Sequence, residues 1–177
     1  MSTKGTAIFS PCGRYRYWLT REWGPPGKVC TFVMLNPSTA GATQDDPTIR
    51  RCIGYAKRWG CVKLIVVNIF ALRSTDPRAL RTASCDPIGE LNKEHIESAV
   101  EIAGRQEDID LRGPVVCAWG VHGSFMDHGE TALGWIESAL GKPPLALVVT
   151  KDGHPAHPLY LRGDLTPVPY AGRVVTA

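Results

Sequence analysis

Asn36-Pro37-Ser38-Thr39 closes an apolar run with a carboxamide, a proline-stiffened backbone and two hydroxyls. Such a set can orient a water or hold a phosphate or a base; it is also the composition of an Asx turn that only ends a strand. A second group, His154-Pro155-Ala156-His157-Pro158-Leu159, sets two imidazoles in a loop stiffened by prolines. A histidine there can protonate or hydrogen-bond a developing anion, while a rigid surface turn has the same make-up. The two rings are not held on one face as they would be on a helix, so their spacing is a poor metal pair. Asn68 is a polar residue inside Val66-Val67-Asn68-Ile69-Phe70. A buried amide needs partners, either neighbouring backbone or a ligand such as a base edge. Arg73 and Asp76 follow and either line the same rim or pair on the surface. The loop 41–44 after the first group has the composition to close over a ligand, and no stretch matches the GxxxxGK[ST] phosphate loop.

Elements that position these groups can be read from periodicity. Residues 13–20 alternate arginine with large β-formers, and residues 29–35 are a mostly apolar run; the intervening Gly24-Pro25-Pro26-Gly27 turn predicts that they form a hairpin. Asp45-Asp46-Pro47 starts a helix with Ile49, Cys52, Ile53 and Ala56 on one face and Arg50, Arg51, Lys57 and Arg58 on the other. Strand 64–70, a turn at 74–77, helix 88–105, strand 115–119, helix 129–140 and strand 145–150 follow. Alternation of this kind predicts one α/β domain over residues 1–177, three-layer α/β/α, with a mostly parallel central sheet. Residues 1–28 form an N-terminal hairpin region and 165–177 a C-terminal surface strap. In open parallel sheets ligands bind beyond the carboxyl ends of the strands, where Asn36, Asn68, Trp119-Gly120 and the His154 loop are all expected.

Composition narrows the classes. With 177 residues, 44% hydrophobic and 21% charged, the chain can bury a core without staples. No apolar run reaches membrane-span length and no secretory leader is recognisable, so a cytoplasmic protein without a membrane partner is expected. Six scattered cysteines with no CxxC are read as reduced thiols, and neither a metal nor another cofactor is expected. The net charge of +3 is unevenly spread, with ten Lys and Arg against three Asp and Glu in residues 1–63. This basic third either tracks phosphates or is a solvated face.

Taken together, SPCGRYRYWL, FVMLNPSTA, DDPTIRRC, RWG, VVNIFALRSTDP, AWG and KDGHPAHPLYL, in that order, resemble the family known as domain of unknown function 1643. More distantly, the chain resembles the uracil-DNA glycosylase superfamily. That superfamily carries a water-orienting GxNPG or GQDPY segment, an apolar strand ending in asparagine, an LWG-like strand and an HPSP-type loop. The corresponding positions are Leu35-Asn36-Pro37-Ser38, Val66-Val67-Asn68, Ala118-Trp119-Gly120 and His154 to Leu159. Met34 stands where that superfamily has a glycine, and Ala156 where it has a serine.

The resemblance implies a uracil-DNA-glycosylase-like fold and hydrolysis of the N-glycosidic bond of a natural or modified nucleobase in nucleic acid. Asn36 would position the water, and His157 or His154 would stabilise charge on the base. Pro37, Ser38, Thr39, Asn68, Phe70 and Leu159 would contact substrate, with Phe70 stacking on the base and Leu159 or Leu161 filling the gap left by a flipped nucleotide. Arg50, Arg51, Lys57 and Arg58 would grip phosphates. Two other readings stand beside it: an enzyme acting on a free nucleotide or nucleoside, and a non-catalytic nucleic-acid-binding module.

Overall fold

The computed structural model describes residues 3–172. The seven strands among these residues are β1 (Lys4–Phe9), β2 (Arg16–Glu22), β3 (Val29–Met34), β4 (Lys63–Asn68), β5 (Val115–Cys117), β6 (Leu145–Ala146) and β7 (Val168–Pro169). Its three α-helices among the described residues are α1 (Pro47–Arg58), α2 (Asn92–Gly104) and α3 (His128–Leu140). All strands join one sheet in the order β1-β2-β4-β3-β5-β6-β7.

β3 and β4 are apolar almost throughout because both of their faces are covered. Val29, Val33, Ile65 and Val67 pack on one side with Ile96, Val100, Leu133 and Ile136 of α2 and α3. Cys30, Phe32, Leu64 and Val66 pack on the other with Ile49, Cys52 and Tyr55 of α1. Helix α1 begins where Asp46 accepts the Ile49 N–H at 2.8 Å, with proline in its first turn. Three layers therefore form around the sheet.

The sheet is mixed rather than mostly parallel. β4, β3, β5 and β6 run parallel, but β1 and β2 are antiparallel at one edge and β7 is antiparallel at the other. The expected hairpin of 13–20 with 29–35 does not form: β2 pairs with β1 and β4, and β4 lies between β2 and β3. The Gly/Pro turn instead carries the chain past the start of β4, where Trp23 N–H donates to Val62 O and Val62 N–H to Lys28 O. Strand 145–150 shortens to two residues, because the turn at 151–153 folds the chain back and pairs Val149 with Pro155. Within the expected strap, 168–169 add an edge strand and Tyr170 is buried, its N–H donating to Pro144 O at 2.9 Å; residues 173–177 lie outside the described residues.

Candidate functional site

A cavity of about 200 Å³ opens at the carboxyl ends of β3 and β4, against the start of α1. Asn36, Ser38, Asn68 and His157 all line it. These residues are far apart in sequence; the parallel pairing of β3 with β4 brings Asn36 and Asn68 to the same sheet edge.

Asn36 follows the last residues of β3, where the chain runs beside the stretch leaving β4: Ile69 N–H donates to Met34 O and Phe70 N–H to Leu35 O. Its Nδ2 donates to Ser74 O at 2.8 Å and to Pro37 O at 3.2 Å. The amide end is thereby fixed, and Oδ1, which takes no hydrogen bond from the described residues, is the end left to accept one. Ser74 and Thr75, which the sequence showed only as a turn, also line the cavity.

His157 heads the loop that returns from β6. Ala156 N–H donates to Val148 O, and Gly120 N–H donates to Pro155 O, each at 2.8 Å. Gly120 adopts φ 69°, a left-handed conformation that glycine enters without strain, and so lets the end of β5 hold this loop. The Nδ1 of His157 accepts the Leu159 N–H at 3.4 Å, so the neutral ring carries its proton on Nε2. Burial pushes its pKa below the ordinary histidine value, against the opposing pull of Asp46. The imidazole is thus a neutral donor at neutral pH. His154 is buried and does not line the cavity; its backbone N–H donates to Thr150 Oγ1 at 3.1 Å and its carbonyl accepts the Thr150 N–H at 2.8 Å. Of the two histidines, the structure places only His157 at the cavity.

Arg16 lines the cavity as well, and sequence periodicity did not reveal it. Strict alternation in β2 would put Arg16 on the face of Trp18. The register with β1 slips, however: Ile8 pairs with Trp18 and Phe9 with Arg16, leaving Tyr17 as an extra residue. This bulge turns Arg16 to the α1 face, with Leu19. Arg16 is 3% exposed; its Nη1 donates to Ala40 O at 2.7 Å and its Nη2 approaches Asn68 Oδ1 at 3.4 Å. Burial lowers its pKa to about 10, partly offset by Asp46, so it stays charged at neutral pH. Because Asn68 Oδ1 faces Arg16, its Nδ2 is the end available to a ligand. Asp46 and Thr48, at the start of α1, also belong to the polar lining.

Other sequence candidates lie elsewhere. Pro37 and Thr39 flank the cavity segment without lining it; Pro37 is buried and Thr39 exposed. Phe70 is not at the cavity: β4 ends at Asn68, the alternation breaks there, and Phe70 turns into the core on the α2/α3 side, against His128 at 4.8 Å and Phe125 at 5.7 Å. Leu159 is half-buried in the short turn Pro158–Tyr160, and Leu161 packs against the α1 side of the core, whereas Tyr160 is 91% exposed. None of Arg50, Arg51, Lys57 and Arg58 lines the cavity. Arg50 donates to Asp45 O, Arg51 lies over the Tyr55 ring, Lys57 lies over Trp23, and Arg58 donates to Gly163 O. Asp76 pairs with Arg78 at 3.0 Å rather than with Arg73, which lies over Phe9. Arg21 binds Gly41 O, Gln44 O and Asp45, so the loop 41–44 is pinned to β2.

Fold and site together define an α/β protein with a small, polar, partly charged cavity at the carboxyl edge of a mixed sheet. The family model described as protein of unknown function (DUF1643) matches residues 16–159, and the chain belongs to that family. Neither the curated proteins nor the solved structures gave a match. Among the described residues, no helix is long and apolar enough to cross a membrane.

Proposed function

We propose that this cavity binds a nucleobase and that the protein hydrolyses its N-glycosidic bond. The observation that carries the reading is that Asn36, whose Oδ1 takes no hydrogen bond from the described residues, lines one cavity with Asn68 and His157. At about 200 Å³ the space suits a single ring system, being smaller than the roughly 300–1,000 Å³ typical of pockets for larger ligands. The order of the Asn36, Asn68, Trp119-Gly120 and His157 segments, similar to that of the uracil-DNA glycosylase superfamily, supports the same reading.

In the reaction, Asn36 Oδ1 accepts a hydrogen bond from the attacking water and aims its oxygen at the anomeric carbon. The carbon–nitrogen bond breaks with its electron pair going to the base, and the water oxygen bonds to the anomeric carbon. One of the water's protons stays on the new sugar hydroxyl, and the other reaches the departing base by way of solvent. The Nε2–H of His157 and the Nδ2–H of Asn68 stabilise charge on the base while it leaves, preorganised help that acts on the transition state. In a duplex the base must first be extruded.

A free nucleoside or nucleotide is the second candidate substrate, favoured by the engagement of Arg51, Lys57 and Arg58 with protein groups away from the cavity. The test is a mass-spectrometric screen for released base from DNA, RNA and nucleosides carrying natural and modified bases. Release from a polymer with steep salt dependence supports a nucleic-acid substrate; release only from monomers supports the second candidate. No release from any substrate refutes the hydrolase reading.

A further inference from the structure

Arg16 is the charge the cavity is built around, and it is under-partnered. A guanidinium carries five N–H donors. The described residues supply two acceptors, Ala40 O and Asn68 Oδ1, and Nε has none although it is buried. Among the described residues no carboxylate forms an ion pair with Arg16, while the neighbouring buried Arg21 is paired with Asp45 at 2.7 Å. Burying a charge without a partner is costly, and such charges are held where something else completes them. The bulge at Tyr17 is a local departure from strand geometry, and it brings this cation to the cavity rather than to the opposite face.

We propose that the cavity takes a ligand bearing negative charge, and that Arg16 receives that charge. This rests on the cavity being the substrate site. In the hydrolytic reading the charge is that of the departing base, which leaves with the bonding electron pair; in the nucleotide reading it is a phosphate. Either way Arg16 is a specificity-determining residue that discriminates an anionic from a neutral ligand of similar shape. Asp46, whose carboxylate caps α1 from the same cavity wall, opposes the anion and limits how tightly it is held.

The test is calorimetric titration of the native protein with three probes at neutral pH: thymine, which is neutral; 5-nitrouracil, which is ionised; and inorganic phosphate. A hydrogen bond to a charged group predicts that an anion binds about 10- to 100-fold tighter than thymine. Preference for 5-nitrouracil assigns the charge to the base, and preference for phosphate assigns it to a phosphate group. Equal affinity of all three, or no binding of either anion, overturns the proposal. Asp46→Asn keeps a side-chain oxygen for the Ile49 N–H and removes the opposing charge, so it should tighten anion binding several-fold and raise the preference for an anion over thymine; weaker anion binding would count against the proposal. Arg16→Gln should abolish the preference, with its melting curve checked for folding. Base release without an anion preference would leave the hydrolase standing and this inference refuted. Anion preference without base release would do the reverse.

Discussion

Replacing Asn36 by alanine separates what this side chain does for the fold from what it does for the reaction. The substitution removes two hydrogen bonds, from Nδ2 to Ser74 O at 2.8 Å and to Pro37 O at 3.2 Å. Each neutral hydrogen bond is worth about 0.5–1.5 kcal/mol net, so the loss is about 1–3 kcal/mol. For a chain of this length about 1 kcal/mol moves the melting temperature by about 2–4 °C, which predicts a drop of about 2–12 °C in a thermal melt. Loss of the water-orienting Oδ1 should lower base release about 10²- to 10³-fold at temperatures where the variant is fully folded. A variant that melts lower but turns over normally would remove Asn36 from the mechanism. Unchanged melting would show that the link between the segment after β3 and the turn at Ser74 does not hold the site together.

Three further outcomes follow from the same geometry. Burial lowers the pKa of His157, His128 and His95 below 6.5, so the unfolded chain binds protons more readily than the folded one. Stability from these rings is present above pH 6.5 and is lost as the pH falls through their folded values, which denaturant melts from pH 8 down to pH 5 should record as a decline starting at about 6.5; a flat profile would refute their neutral burial. Phe70→Ala should cost about 3–5 kcal/mol in chemical denaturation because it opens the core between α2 and α3, yet leave the affinity of the folded protein for a base unchanged; weakened binding with unchanged stability would restore Phe70 as a stacking residue. Removing Arg50 and Arg51 together should leave the affinity for monomeric ligands unaltered, and a fall in affinity for polymer with a flatter salt dependence would place phosphates along α1.

The parts of the fold that were legible in the sequence are those in which one element carries its own signal. β3 and β4 are continuous apolar runs because helices cover both faces, and α1 announces itself through Asp46, Pro47 and the spacing of Ile49, Cys52 and Ala56. Asn36, Asn68 and His157 were legible because each follows strand-forming residues on the same side of the sheet. Strand pairing carries no such local signal. The Gly24-Pro25-Pro26-Gly27 turn has hairpin composition, yet β4 takes the place beside β2, and β1 is a largely exposed edge strand without a strong apolar pattern. Arg16 was missed for a related reason: a bulge at Tyr17 changes which face a side chain occupies, and alternation alone cannot show it. Phe70 was misplaced because β4 stops at Asn68, two residues before it, so the strand's period no longer applied.

The central claim is that water attacks the sugar carbon, rather than the base, of a ligand held at Asn36, Asn68 and His157. Running the reaction in ¹⁸O-labelled water on the substrate found by the screen, and weighing both products, tests it most directly. The account predicts label in the sugar product and none in the released base, with the signal falling in the Asn36→Ala variant. Label in the base, or intact substrate from the native protein after prolonged incubation, would contradict it.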